Sequence, residues 1–253
     1  MPDMQETLIF EELSSNKIRS INRQTLQNLK FLQNLNLQGN PITAFERNFF
    51  SDMKNITTIN IASRRQRYLN CGVFSKLPRL NYLKAENCGI QTICDGAFKE
   101  LSNLKTLILS SNALKALSNQ TFYGLISLVK LDLNDNRIQQ FPLGVFSNLV
   151  SLQEINLNRN TFREIDESIC NGPRQLKYIF LEMNRLEKLN VDALSNCSNS
   201  LKTLRADKNF ITHINASTLS IMRSLTSLSL KSNLISSISP LLTASPLPEL
   251  KKL

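Results

Sequence analysis

Few side chains in this sequence have the chemistry of an active site or a metal site. The chain has one histidine, His213, which lies between Ile211 and Ile214 without a matching nucleophile or ligand set, so we expect a surface residue. The five cysteines lack zinc-site spacing, and no phosphate-binding glycine loop or nucleophile elbow occurs. We therefore expect no metal, no cofactor and no catalytic residue.

Asp132 and Glu154 come nearest to a carboxylate pair that could catalyse hydrolysis. We expect lysine and asparagine neighbours around them on an open, hydrated surface. Such surroundings disfavour the raised pKa that a general acid needs. A hydrolase is therefore the weakest of the functions considered, and we expect that the protein is not an enzyme.

Composition describes a folded, basic chain. Hydrophobic residues make up 42% and charged residues 20% of the 253 residues, which is typical of a globular protein. No stretch of 18 or more apolar residues occurs, so we expect no membrane segment, and the first residues do not have the pattern of a signal peptide. The net charge of +10 favours anionic partners or surfaces without identifying one.

The elements that must position the polar side chains are set by a repeat that fills the chain. A motif of the form LxxLxLxxN recurs every 24 residues, and once after 25. Phenylalanines follow ten places after five of its final positions, at Phe50, Phe74, Phe98, Phe122 and Phe146. We call the final positions of the motif the ladder: Asn16, Asn40, Arg64, Cys88, Asn112, Asn136, Asn160, Asn184, Asn209 and Asn233.

With these motifs the chain resembles the leucine-rich-repeat family over residues 8–253, in the 24-residue form with a phenylalanine spine that is typical of extracellular proteins such as Toll-like receptors. The resemblance implies an α/β leucine-rich-repeat solenoid, a curved horseshoe with a concave parallel sheet of about ten short strands. Its convex side should be rich in turns and 3-10 helix. The alternation of leucines within each motif independently predicts strands, and each coil needs its neighbours to bury its apolar face.

The ladder asparagines are expected to have a structural role, because a side-chain amide can satisfy buried backbone groups on its own and the adjacent coil. Cys88 could substitute weakly through its thiol. Arg64 cannot be buried comfortably, so we expect a distorted coil near residues 64–70.

We expect residues 1–253 to form a single array of about ten repeats. Leu250 and Leu253 match the start of another unit, and no cysteine-rich cap is present at either end. These features favour a piece of a longer ectodomain or a truncated gene product.

Cysteines and glycosylation sequons bear on the compartment. Cys71 and Cys94 should lie on neighbouring coils, as should Cys170 and Cys197, and two disulfides would indicate an oxidising compartment. The alternative is that Cys170 and Cys197 are small buried apolar residues in positions that Phe and Leu occupy elsewhere. Sequons that permit N-glycosylation without arguing for it occur at Asn55, Asn119, Asn196 and Asn215.

The outward residues of the strands are the candidate ligand-binding surface. Tyr178, Phe180 and Met183 should project from one coil with charged residues around them, which is the composition of an interaction hot spot. The alternative is an ordinary surface, with Lys130 beside Glu154 and Asp135 beside Arg159 as weak pairs. The candidate ligand-binding residues are Tyr82, Ile108, Asp132, Glu154, Asn156, Arg159, Tyr178, Phe180, Met183 and Arg205.

A second candidate surface is electrostatic. No acid lies between Asp52 and Glu86, and this stretch contains what we call the basic flank: Arg64, Arg65, Arg67, Lys76 and Arg79. It could hold an anionic glycan or a nucleic-acid backbone, although a solvated flank is the more ordinary interpretation.

These observations favour a non-enzymatic binding module from an extracellular or cell-surface ectodomain, as in Toll-like or matrix proteins. Its partner would be a protein or another macromolecular ligand, with a homodimer or a receptor complex also open. The alternative is an intracellular adaptor or scaffold built on the same repeats. Many functions share such a fold, so the resemblance does not name the ligand.

Overall fold

A parallel sheet of ten short strands organises the chain, in the order β1-β2-β3-β5-β7-β8-β9-β10-β11-β12. The computed structural model describes residues 8–63, 66–190, 192–214 and 222–236. Helix α1 is Arg23–Gln27, and 3-10 helices span Glu167–Ile169 and Asp192–Cys197. The strands are β1 Phe10–Glu12, β2 Asn34–Asn36, β3 Thr58–Asn60, β4 Tyr68–Leu69, β5 Tyr82–Lys84, β6 Thr92–Ile93, β7 Thr106–Ile108, β8 Lys130–Asp132, β9 Glu154–Asn156, β10 Tyr178–Phe180, β11 Thr203–Arg205 and β12 Ser227–Ser229. The predicted leucine-rich-repeat solenoid is confirmed.

Apolar residues at the repeat positions stack in columns inside the coils. Leu109, Leu133 and Leu157 are fully buried, and the central residue of strands β2, β3, β5 and β7–β12 is buried in the same way. Each strand pairs in register with the strand of the next coil, so equivalent leucines meet. Because a single coil has no second layer of its own, this stacking supplies its core.

The sheet lies on the inner side of the curve. Neighbouring strands of a sheet are about 4.8 Å apart. The stacked rings of Phe50 and Phe74 are 5.7 Å apart, and those of Phe74 and Phe98 are 6.3 Å apart. The coils are therefore spaced more widely on the phenylalanine side, which makes the sheet the concave face.

The ladder asparagines join successive coils. The Nδ2 of Asn136 donates to the carbonyls of Leu109 and Leu133, both at 3.0 Å, and its Oδ1 accepts the N–H of Leu114 at 3.1 Å. One side chain thus satisfies backbone groups on two coils, as predicted. Cys88 takes the same place with its thiol, which accepts the N–H of Ser63 at 3.3 Å.

The coil expected to be distorted contains a polar residue in the core. Ladder position 64 and residue 65 lie outside the described residues. Gln66 stands two places after the ladder, where Ile42 and Ile90 stand in neighbouring coils, and it is fully buried. Neither its Oε1 nor its Nε2 has a hydrogen-bond partner among the described residues. Beyond it, strand β4 pairs with β6 to form a separate two-stranded sheet.

Two disulfides join neighbouring coils. Cys71 is bonded to Cys94, with their Cα atoms 5.2 Å apart, and Cys170 is bonded to Cys197, with their Cα atoms 5.5 Å apart. The second pair is buried in the columns that Phe and Leu fill in other coils. Cys88 is a buried free thiol.

Among the described residues, no helix has the length and apolar character needed to cross a bilayer.

Candidate functional site

All ten residues predicted for the concave face lie on or beside six adjacent strands. Tyr82 and Ile108 are on β5 and β7, and the other eight lie on β8–β11 or on the turns that follow them. Short strands with buried central residues hold the side chains on either side outward, because side chains alternate along a strand. The backbone of the sheet therefore fixes the positions of the Cβ atoms of the strand residues on this face.

Tyr178 and Phe180 form the apolar centre of this surface. Both extend outward from β10, where Tyr178 is 36% exposed and Phe180 is half-buried. In the sheet register, Tyr178 lies between Glu154 and Thr203. We call the outward residues of β8–β11 and the turn residues beside them the aromatic patch: Asp132, Glu154, Asn156, Arg159, Tyr178, Phe180, Met183 and Arg205.

A polar register surrounds the second aromatic residue. Phe180 lies between Asn156 on β9 and Arg205 on β11. Met183 and Arg159 are in turns, with φ of 57° and 54°, beside the ends of β10 and β9. The patch therefore combines two aromatic side chains with a charged and amide-bearing border.

One of the two expected surface ion pairs forms. The Nζ of Lys130 lies 2.7 Å from the Oε1 of Glu154. The hydrogen bond that Lys130 donates to the Glu154 carboxylate is the main reason why the pKa of Lys130 is raised. Asp135 and Arg159 do not approach within ion-pair distance of each other. Lys130 and Glu154 are partly exposed, so their pair contributes little stability.

The expectation of an unperturbed carboxyl at Asp132 was wrong. Burial raises the pKa of Asp132, although the N–H of Asn134 and the charge of Lys130 oppose the change. The wet, open surface expected from the sequence does not apply here, because Asp132 is half-buried. A raised carboxyl pKa is useful in acid–base chemistry only beside a reacting group. Asp132 lies on the surface of the sheet and accepts the N–H of Asn134 at 2.9 Å, which does not place it beside a reacting group.

Glu182 is a central residue of the site that the sequence analysis missed. Its Oε2 accepts a hydrogen bond from the Nδ2 of Asn158 at 2.7 Å, and its Oε1 lies 2.7 Å from the Nη2 of Arg205. Arg205 also approaches Asp207 at 3.6 Å. Glu182 stands two places before a ladder position, just after the end of β10. The repeat contains a signal for this position, because acids recur two places before the ladder at Glu86, Glu182 and Asp207.

The basic flank is described only in part. Arg64 and Arg65 lie outside the described residues, while Arg67, Lys76 and Arg79 are exposed. Arg79 donates from Nη1 to the Oδ1 of Asn55 at 2.7 Å.

The sequons differ in accessibility. Asn55 is half-buried, and its Nδ2 donates to the carbonyl of Lys30 at 2.8 Å. Asn119 and Asn196 are exposed, whereas Asn215 falls outside the described residues. The side chains of Asn119 and Asn196 are therefore accessible for glycosylation.

The catalytic and metal chemistry of the described residues is sparse. No group of three or more His, Cys, Asp or Glu side chains among them could hold a metal ion. His213 is exposed, and its Nδ1 lies 2.8 Å from the Oγ1 of the adjacent Thr212. The arrangement around the aromatic patch is suited to contact with a ligand surface.

Comparison with protein families gives two matches. The leucine rich repeat family model matches residues 32–90, 85–138 and 126–186. The model for the BspA type leucine rich repeat region matches residues 160–245. No curated protein sequence matches the chain.

Solved structures share the fold at low sequence identity. The Drosophila Toll–Spatzle complex has a chain that is 22% identical, with a TM-score of 0.82 over 90% of this chain and 32% of that one. The TLR13–ssRNA13 complex gives 24% identity and a TM-score of 0.82, over 98% and 34% of the two chains. A leucine-rich-repeat protein of Leptospira interrogans gives 20% identity and a TM-score of 0.65, over 98% and 72%. The chain spans about a third of the length of the Toll and TLR13 chains.

Proposed function

Since this chain belongs to the leucine-rich-repeat family, we propose that it is a non-enzymatic module that binds a macromolecular ligand on its concave face. Residues 1–253 act in this proposal as a single repeat array within a Toll-like or related receptor or matrix ectodomain. The observation that carries the proposal is the pair of outward aromatic residues Tyr178 and Phe180 on one interior strand of the sheet, β10. Aromatic side chains on a rigid strand bury a large area at little entropic cost, which is why they dominate binding interfaces.

The border of the aromatic patch supports a protein ligand. Arg205, Glu182 and Asn158 form a connected polar cluster, which provides directional hydrogen bonds around the aromatic pair. An apolar centre with a polar rim is the usual organisation of a protein–protein interface. The solved Toll chain is in complex with Spatzle and the solved TLR13 chain with ssRNA13, so chains of this fold accommodate ligands of both classes.

Disulfides support an extracellular or cell-surface location for the module. Structural disulfides persist in oxidising compartments and are rare in the cytosol. The Cys71–Cys94 and Cys170–Cys197 bonds therefore favour the ectodomain over the alternative, an intracellular adaptor on the same scaffold. Glycan occupancy at Asn119 in protein secreted from eukaryotic cells would favour it further.

A display screen followed by matched substitutions tests the proposal. The chain would be screened against displayed secreted proteins, with self-association and receptor complexes scored in the same format. The dissociation constant of each protein found would then be measured for Tyr178→Ala and Phe180→Ala. We expect each substitution to weaken binding about tenfold or more, as for an interface hot spot.

Tyr123→Ala is the matched control, because Tyr123 is an exposed aromatic residue away from the sheet. It should leave the dissociation constant unchanged. Thermal unfolding of all three variants would show whether the fold is retained. Full affinity in folded Tyr178→Ala and Phe180→Ala would rule out the aromatic patch as the binding site. Turnover of a substrate that is lost on changing Asp132 or Glu154 would instead revive the hydrolase alternative.

A further inference from the structure

A groove with a volume of about 700 Å³ lies on the side of the solenoid formed by the segments that come after the ladder positions in the sequence. Four cations line it, at Lys115, Arg137, Arg163 and Arg185, and all four are exposed. They stand one or three places after a ladder position, so they belong to neither the outward faces of the strands nor the aromatic patch. We call this feature the lateral groove.

Backbone hydrogen bonds between coils hold the groove in a fixed shape. The N–H of Arg137 donates to the carbonyl of Leu114 at 2.8 Å, and the N–H of Arg185 donates to the carbonyl of Phe162 at 2.9 Å. Arg137 and Arg185 are two coils apart. The coil spacing lies between that of strands and that of the stacked phenylalanines, so their backbones are roughly 10–12 Å apart. Lys115 and Arg163 repeat the same interval three places after the ladder.

The four cations that line the groove outnumber its two acids, Glu164 and Asp166. None of the four cations lies within ion-pair distance of a described carboxylate. The two acids that line the groove have other partners. Asp166 accepts the N–H of Ser168 at 2.9 Å, and Glu164 lies 3.4 Å from Lys188.

The excess of cations recurs on several other coils along the same side of the solenoid. Among the described residues one and three places after the ladder, the only acid is Glu187. The cations there are Lys17, Arg19, Arg67, Lys115, Arg137, Arg163 and Arg185. A row of like charges with few counter-charges creates a positive potential that attracts a linear polyanion.

We propose that the lateral groove binds a sulfated polysaccharide chain. Arginine is the predominant cation in the groove, and its planar guanidinium can hold a sulfate through two parallel hydrogen bonds. Gln139, Gln140 and Thr161 add amide and hydroxyl groups that can bond to sugar hydroxyls. No aromatic residue is among those that line the groove. Single-stranded nucleic acids are usually held by stacking on aromatic side chains, so a glycan fits this lining better than RNA does.

The test uses a heparin dodecasaccharide, the same oligosaccharide after desulfation, and a single-stranded poly(U) 20-mer. Binding to the full chain would be measured by calorimetry in 0.15 M NaCl. The triple variant Arg137→Gln, Arg163→Gln, Arg185→Gln should bind heparin at least about tenfold more weakly. Loss of the three cations reduces the number of counterions that heparin releases on binding. Desulfated heparin should bind neither protein.

The control variant is Lys99→Gln, Lys105→Gln, Arg174→Gln, which removes three exposed cations away from the groove and changes the net charge equally. It should lose less than about threefold, since long-range interactions between exposed charges are largely screened at this ionic strength. Equal losses in the two triple variants would overturn the site, as would full heparin affinity in the groove variant. Tighter binding of poly(U) than of heparin through the same arginines would overturn the assignment to a glycan.

Footprinting of the unmodified protein makes the test independent of the folding of any variant. Phenylglyoxal modifies accessible arginines, and heparin should protect Arg137, Arg163 and Arg185 while leaving Arg174 reactive. Unchanged modification of the three groove arginines at saturating heparin would contradict the proposal. Tyr178→Ala and Phe180→Ala should bind heparin normally, so failure of the lateral groove and failure of the concave-face proposal give different results.

Discussion

The Nδ2 of Asn160 donates a hydrogen bond to the carbonyl oxygen of Leu133, one coil earlier, over 2.9 Å. Its Oδ1 accepts the N–H of Ile138 at 3.0 Å. Asn160→Ala leaves the N–H of Ile138 buried without its acceptor, whereas the carbonyl of Leu133 keeps the hydrogen bond from the Nδ2 of Asn136. We therefore expect the substitution to lower the free energy of unfolding by about 1–3 kcal/mol. Urea denaturation followed by circular dichroism measures the loss.

Asn148→Ala provides the comparison for that variant. The Asn148 side chain makes only a long hydrogen bond of 3.4 Å, to Ser147 on the exposed surface. Its removal should change the free energy of unfolding by less than about 0.5 kcal/mol. Equal effects of the two substitutions would mean that the ladder amides do not hold the coils together.

Gln66→Leu should stabilise the protein. The Gln66 amide is fully buried without a hydrogen-bond partner in a column that Ile42 and Ile90 occupy in adjacent coils. Replacing it removes the desolvation penalty of the amide, and we expect a gain of about 1–3 kcal/mol in the free energy of unfolding. Gln91→Leu, at an exposed position, should give no comparable gain. A loss of stability in Gln66→Leu would show that the amide is satisfied in solution.

The stability of the fold should fall between about pH 9 and pH 11 because of Cys88. Burial raises the pKa of this thiol from its usual value of 9.0 to about 11. In that interval the unfolded chain loses the thiol proton while the folded chain keeps it, so deprotonation favours unfolding. The penalty approaches about 2–3 kcal/mol at the upper end. Denaturation curves of the native chain and of Cys88→Ala across this interval should diverge by that amount, and parallel curves would contradict it.

Alkylation should find one free thiol in the whole chain. The two disulfides leave Cys88 alone, and Cys88 is buried. Iodoacetamide at pH 8 should therefore add no adduct to the folded protein and one adduct in guanidinium without reductant. Intact-mass measurement counts the adducts directly. Three or five adducts in the unfolded, unreduced chain would show that one or both disulfides are absent.

Two glycines with positive φ should respond differently to alanine. A Cβ at Gly124, where φ is 90°, would collide with the carbonyl of Lys99, whereas a Cβ at Gly144, where φ is 80°, meets no atom within 4 Å. Gly144→Ala should cost about 1–2 kcal/mol of stability from its backbone conformation alone. Gly124→Ala should cost more than about 3 kcal/mol, since a coil must also move. Similar melting temperatures for the two variants would contradict the close packing of these coils.

The fold could be predicted from the sequence because its cause is periodic. Leu109, Leu133 and Leu157 recur at a constant interval, and only stacking of coils buries all of them at once. Single departures from the period were less predictable. Gln66 occupies an apolar column, and its burial follows from the neighbouring coils, whose packing overrides the polarity of one side chain.

The candidate site could be predicted only in part. The alternation along β10 was enough to direct Tyr178 and Phe180 outward, but the contacts of their neighbours depend on distances between coils. Glu182 was not predicted because it follows the end of β10, whereas the predicted surface consisted of outward strand residues together with Arg159 and Met183. The raised pKa of Asp132 was missed because the burial of an outward side chain depends on the packing of adjacent coils, which the repeat pattern alone does not give.

The Cys170–Cys197 bond encloses the whole of β10, including Tyr178 and Phe180. When the two ends of the chain are pulled apart, force passes through the covalent crosslink and bypasses the enclosed segment. The bond spans 27 sequence positions, so it withholds about 90 Å of contour length from extension. Under tension, the coils outside the two disulfide loops can unravel one after another while the aromatic strand remains mechanically shielded.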